Sequence, residues 1–185
     1  MNRLTHQKRK QILHLLVEGN SLRAASRISD VSFNSVSKLF VDAGLACADY
    51  QHRTLRNLTC RRLQLDEIWS FVYAKAKNVP NAKSAPVAAG DVWTWVAIDA
   101  DTKLVPSWLI GDRSADTANV FVADLASRIN NRVQITTDGH RPYLQAIEGA
   151  FGGDADYAMR SRSTVRRPRL RSATAQQNAL AARRT

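Results

Sequence analysis

Acidic residues stop at Asp156 in this chain of 185 residues: residues 160–185 hold eight arginines and no Asp or Glu. Cysteine is almost as scarce. Cys47 and Cys60 are the only two, and neither has a Cys or His partner at zinc-ligand spacing, which leaves no disulfide framework and implies reduced thiols. No apolar run approaches the ~20 residues a membrane helix needs, and Met1-Asn-Arg-Leu-Thr5 lacks a signal-peptide core. These absences exclude a disulfide-stapled secreted protein and a membrane partner, and they predict a cytoplasmic one.

What is present is charge, unevenly placed. Residues 1–62 hold eleven Lys/Arg against four acids, residues 63–159 hold eight against twelve, and the total formal charge is +11. A basic arm beside an acidic centre suits a protein that grips phosphates with one part and holds cations with another. A ribosome-like or merely sticky basic protein would not need the acidic centre.

In the arm, Thr5 to Glu18 has helical periodicity and Gly19-Asn20 stops it. Ser21 can cap a second short helix with Leu22, Ala25 and Ile28 on one face. Ser29-Asp-Val-Ser32 makes a turn, and a third helix from Phe33 to about Ala43 has Phe33, Val36, Phe40 and Ala43 as its apolar stripe. That is a helix-turn-helix pattern, in which the exposed start of the last helix, here Asn34, Ser35, Ser37 and Lys38, reaches base edges. Arg53, Arg56, Arg61 and Arg62 follow as phosphate contacts, although a plain helical bundle has the same pattern. The division predicted is 1–45 for the helix-turn-helix, 46–62 for an irregular polar linker, 63–159 for a central domain and 160–185 for a disordered basic tail.

The central region opens on Leu63-Gln-Leu-Asp66-Glu67-Ile-Trp69-Ser-Phe-Val72, an apolar strand with two adjacent carboxylates. It reads as buried, where an ionised carboxylate is costly unless paired or bound to a metal. Asp91–Asp99 is a second strand and Leu104–Gly111 a third. A helix opens at Ser114-Ala-Asp116 with Ala118, Phe121, Val122, Leu125 and Ile129 as its stripe. Val133–Thr137 is a strand ending in Asp138, Pro142 begins a helix, and Asp156–Met159 starts another strand. The order β-β-β-α-β-α-β implies a mixed sheet with flanking helices, as in the ribonuclease H-like fold. Asp66 and Asp138, one on the first strand and one after the fourth, are the candidate catalytic and metal-binding acids. Carboxylates from separate elements suit phosphoryl transfer assisted by divalent metal, and hard oxygen donors favour Mg²⁺ or Mn²⁺. Strand alternation turns Glu67 to the other face, towards an ion pair. Asp99 and Asp101 are rivals at a turn where Asp is common. His140 is an auxiliary candidate for positioning phosphate or water, and the four tryptophans read as core.

The wording of Leu65-Asp66-Glu67-Ile68-Trp69-Ser70-Phe71, Trp93–Asp99, Asp112-Arg-Ser-Ala-Asp-Thr-Ala118 and Thr136-Thr-Asp138-Gly139-His140-Arg-Pro-Tyr143 resembles the insertion-sequence-one family of bacterial transposases. The resemblance covers roughly residues 1–159. It implies an N-terminal helix-turn-helix for the element's double-stranded DNA ends, an Asp-Asp-Glu catalytic domain using Mg²⁺, a homo-oligomer on paired ends, and a place on the bacterial nucleoid. Asp66 and Asp138 match the first two acids. The family's third is a Glu on a later helix, and residues 160–185 contain none. The run from Arg160 is compatible with a frameshift near Met159, because an adjacent frame can spell wording similar to the family's. The expectation is therefore a transposase impaired in cutting and joining. A DNA-binding repressor or inhibitor of the intact enzyme is the alternative, and an inert remnant that folds poorly a third.

Overall fold

The structure, a computed structural model, describes residues 4–160. The basic tail, Arg160 apart, lies outside the described residues. The first unit is three helices: α1 (His6–Val17), α2 (Leu22–Ser29) and α3 (Phe33–Thr54). Each starts where a side-chain oxygen satisfies a free backbone N–H: Thr5 accepts from Lys8, Ser21 from Ala24 and Ser32 from Ser35. Asp30 takes the left-handed conformation, φ 52°, to make the tight turn before α3. Ile12, Ala25 and Val36, one from each helix, are fully buried together, with Leu4, Leu15, Leu16, Leu22, Val31 and Leu39 packed round them.

α3 is twice the expected length. It runs to Thr54 instead of stopping near Ala43, so the span expected to be an irregular linker, 46–62, is helical for its first half. Ala43, Ala46 and Ala48 carry the helix past Gly44. The extension docks on the second unit. Gln51 donates to the Val105 carbonyl at 2.8 Å and accepts from the Trp108 indole at 2.8 Å. Arg128, almost fully buried, donates to the Gln51 and Leu55 carbonyls. Residues 55–61 then lie against the segment 128–131, where the Leu58 N–H donates to the Arg128 carbonyl and the Asn130 N–H to the Leu58 carbonyl.

The second unit is a five-stranded mixed sheet: β1 (Arg62–Val72), β2 (Gly90–Asp99), β3 (Ser107–Gly111), β4 (Val133–Thr137) and β5 (Ala155–Met159), in the order β3-β2-β1-β4-β5. β1 pairs antiparallel with β2, and β2 with β3; β4 runs parallel to both β1 and β5. This is the ribonuclease H-like arrangement that the element order implies. α4 (Ala115–Ala126) and α5 (Pro142–Phe151) cover one face. Alternation puts Leu63, Leu65, Trp95, Ala97, Val133 and Ile135 on that face, against Phe121, Val122, Leu125, Tyr143 and Ile147. The helical stripe Ala118, Phe121, Val122 and Leu125 is buried as its spacing predicts. β3 begins at Ser107 rather than Leu104, because Pro106 has no N–H to give a ladder.

Two expectations about β1 fail. The strand is buried only in its first half; Ile68, Trp69, Phe71 and Val72 are all exposed, because the β1–β2 ribbon extends beyond the helices and β4. Among the four tryptophans only Trp95 is fully buried; Trp69, on the overhanging ribbon, is 39% exposed, and Trp108, on the sheet face away from the helices, is 41% exposed. No helix among the described residues is long and apolar enough to cross a membrane.

Candidate functional site

Asp66 is set by register. Leu65 pairs with Thr137 at the end of the β1–β4 ladder, so Asp66 and Asp138 are the next residues on two parallel neighbours, whose backbones lie roughly 5 Å apart. β1 continues past this point alongside β2 while β4 turns away into the loop 138–141. The crevice at the carboxyl end of parallel strands is where open α/β sheets place ligands. Asp66 lies on the face away from α4 and α5 and is exposed, contrary to the buried position the apolar strand suggests. One of its oxygens accepts the Glu67 N–H at 2.8 Å. Asp138 is half exposed, and its Oδ1 accepts the His140 N–H at 3.0 Å, a short turn that fixes the carboxylate.

Glu67 goes the other way. Its side chain is 1% exposed, on the α4 and α5 face, and Arg113 pairs with it through Nε at 3.0 Å and Nη2 at 2.9 Å. Burial of a carboxylate is tolerable with such a partner and costly without one. The same Nη2 is 3.8 Å from Oδ2 of Asp138, so one guanidinium bridges the buried and the exposed acid. The arginine also lies over the Trp93 ring, 4.8 Å from its centroid.

Around Glu67 the hydrogen bonding is incomplete. Its Oε1, the Tyr143 hydroxyl and His140 Nε2 are all buried without a partner. Tyr143 is pushed far above the ordinary phenol range, by burial first and then by the nearby Glu67 carboxylate. The two are near enough to interact electrostatically, yet make no well-formed hydrogen bond. His140 packs on Trp95 and edge-on to Tyr143, with ring centroids 5.5 and 5.8 Å apart. Burial lowers its pKa, outweighing the pull of Glu67 and Asp138 in the other direction. The ring is turned inward, with Nε2 buried, not towards solvent as a loop histidine free to meet phosphate would be.

The rival acids are accounted for by the turn after β2. Asp99, 3% exposed, accepts from the Asp101 N–H and the Thr102 hydroxyl, and Asp101 pairs with Arg62. Among the described residues no three His, Cys, Asp or Glu side chains are gathered at metal-binding distances.

The expected DNA-contact residues fall into two groups. Asn34 and Lys38 are exposed at the start of α3, while Ser35 and Ser37 are half-buried. Ser35 shares a hydrogen bond with Ser32 at the helix cap, and Lys38 pairs with Asp42 one turn on. Arg53 lies at the far end of α3, about 28 Å away at 1.5 Å per residue, and pairs with Asp49. Arg56 donates to the His52 carbonyl and the Ser127 hydroxyl, which makes it part of the α3 docking. Arg61 and Arg62 are exposed where β1 begins. The sequence reading missed Arg113 and Tyr143. Arg113 had a signal: it immediately precedes Ser114, the N-cap of α4, where a cation faces the positive end of the helix dipole and needs a compensating partner.

No protein-family model matches the chain, and no curated protein matches it. Among solved structures it is similar to the piggyBac transposase seen by cryo-EM in a synaptic complex with hairpin DNA, at 14% identity and a TM-score of 0.38. The match covers 82% of this chain, which spans 30% of the length of that one.

Proposed function

We propose that this protein binds double-stranded DNA through its three-helix unit and holds one divalent cation at Asp66 and Asp138, as the DNA-recognising and two-acid part of a bacterial DNA transposase. The observation that carries the reading is the register that sets Asp66 beside Asp138 where β1 and β4 part. The donor set fits Mg²⁺ or Mn²⁺: two hard carboxylates open to solvent suffice for an ion that keeps several waters. Bound there, the ion would polarise a phosphoryl oxygen as a Lewis acid. The residues of this chain would do the rest. The start of α3 would enter the major groove with Asn34 and Lys38 foremost, Arg61 would add its charge, and Arg53 and Arg62 would exchange Asp49 and Asp101 for backbone phosphates, as weak exposed ion pairs allow.

Fluorescence anisotropy with a duplex carrying an element's terminal repeat tests this. Binding is expected to weaken linearly in log–log salt, by about 0.9 per phosphate contacted. Asn34→Ala is expected to cost about 1–3 kcal/mol on the cognate end and nothing on a scrambled duplex. Equal affinity of the wild type for both duplexes at all salts would remove the recognition claim. A second reading is DNA binding without strand transfer, as in a repressor of an intact transposase; residues 160–185, where the resemblance would place a third acid, hold no Asp or Glu. Strand joining by the purified chain with Mg²⁺ separates the two; none is expected, and robust joining would overturn the second reading.

A further inference from the structure

Arg113 is built more carefully than a counter-ion needs. Two of its N–H donors converge on a single oxygen of Glu67, at 3.0 and 2.9 Å, and its plane is braced on Trp93. The carboxylate beneath it is 1% exposed, while the arginine side chain itself is 39% exposed. The pair is therefore one-sided: the acid is sealed in and the cation faces out. A guanidinium has five donors, and Nη1 has no hydrogen-bond partner among the described residues. The guanidinium stands beside Asp138 at the end of β4, with Nη2 3.8 Å from its Oδ2. The other nearby acid, Asp112, is turned away, with its Oδ1 accepting from the Ser114 and Thr117 hydroxyls. A planar fork held rigid from below and open above matches a phosphodiester, and its orientation entropy is already lost on folding.

We propose that Arg113 binds a backbone phosphate of DNA at the Asp66–Asp138 edge, and that buried Glu67 is its positioning residue. This rests on the DNA-binding reading above and adds the contact that places DNA over the two acids rather than on the helices alone.

The test uses the full chain and a 30-base-pair duplex, with binding followed by anisotropy across a KCl series. Glu67→Gln removes a negative charge, so a role limited to net charge predicts tighter binding. Positioning predicts the reverse, about threefold weaker binding with the salt slope kept, because the arginine stays charged but loses its clamp. Glu67→Gln/Arg113→Gln replaces the pair with two neutral amides and leaves no buried charge unpaired, so it keeps the fold where Arg113→Gln alone would not. It is expected to bind about tenfold more weakly, with the slope shallower by about 0.9, the value for one phosphate. Arg113→Lys is expected to keep the slope and lose affinity, since an ammonium cannot fork.

An unchanged slope in the double variant, or tighter binding by Glu67→Gln, would overturn the proposal while leaving DNA binding by the helices intact. Wild-type chain that binds no duplex at low salt would overturn both. Inorganic phosphate is the remaining arm. At matched ionic strength it is expected not to compete with the duplex; competition that disappears in the double variant would mean a free-phosphate site instead.

Discussion

Arg128→Ala is expected to lower the stability of the whole chain by about 3 kcal/mol, the lower end for a broken buried ion pair because Asp124 is a third open to solvent. Arg128 lies at the end of α4 with its side chain 7% exposed, and it does two things at once. It makes a forked pair with Asp124, at 2.7 Å through Nε and 2.9 Å through Nη2. Its Nη1 donates to the carbonyls of Gln51 and Leu55 at the end of α3, where the helix runs out of backbone donors for its last carbonyls. Alanine removes all four bonds and leaves Asp124 with the Ser107 hydroxyl alone among its side-chain partners. Urea unfolding measures the loss. A midpoint that moves by less than 1 kcal/mol would mean that α3 rests on the sheet unit without this clasp. Lysine should recover part of the loss, because it keeps the charge and lacks the fork.

The same pair gives a pH dependence. Burial alone would raise the Asp124 carboxyl; the bonds from Arg128 and Ser107 outweigh it and hold the pKa below the ordinary value. A depressed carboxyl contributes stability that is present above its unfolded pKa, about 4, and lost as pH falls through the lower folded value. The wild type should therefore lose stability on acidification below about pH 4, and Arg128→Ala should show a flatter acid limb.

The fold was legible where burial follows from local pattern. Ala118, Phe121, Val122 and Leu125 recur at helical spacing and are all fully buried, and the mixed sheet of the central unit is the one its order of elements implies. What failed depends on contacts between distant segments. Nothing near Ala43 shows that α3 continues to Thr54; the extension is held by Val105, Trp108 and Arg128, all more than fifty residues on. Nothing in Ile68-Trp69-Ser-Phe71 shows that the ribbon outruns the helices meant to cover it. At the candidate site, the sequence singles out the two acids because each ends or interrupts an apolar strand, and the β1–β4 register puts them on neighbouring strands. Tyr143 could not be read, because its place comes from meeting Glu67 in the folded chain, and Arg113 offered only its position before the N-cap of α4. Alternation alone did separate Glu67 from Asp66, assigning one to an ion pair and leaving the other free.

That separation sets the second large effect. Asp66→Asn and Asp138→Asn are each expected to weaken Mn²⁺ binding at least about 100-fold, since outer-shell changes alone cost 10–100-fold and here one of two charged ligands is lost. Neither change should unfold the chain. Asp66 is exposed with no side-chain partner beyond the neighbouring N–H, and an asparagine at 138 can still accept the His140 N–H, so stability should stay within about 0.5 kcal/mol. Asp99→Asn should do the opposite. That carboxylate is buried and serves the turn through Asp101 and Thr102, so its loss should destabilise the fold and leave Mn²⁺ affinity alone. Titration calorimetry on the three variants, with unfolding measured in parallel, separates ligands from structural acids. If Asp99→Asn abolished Mn²⁺ binding in a folded chain while Asp66→Asn did not, the cation site would belong to the β2 turn and the register argument would fail. The opposite pattern is expected, because Asp66 and Asp138 follow the last paired residues of the parallel β1–β4 ladder and both offer carboxylate oxygens to solvent.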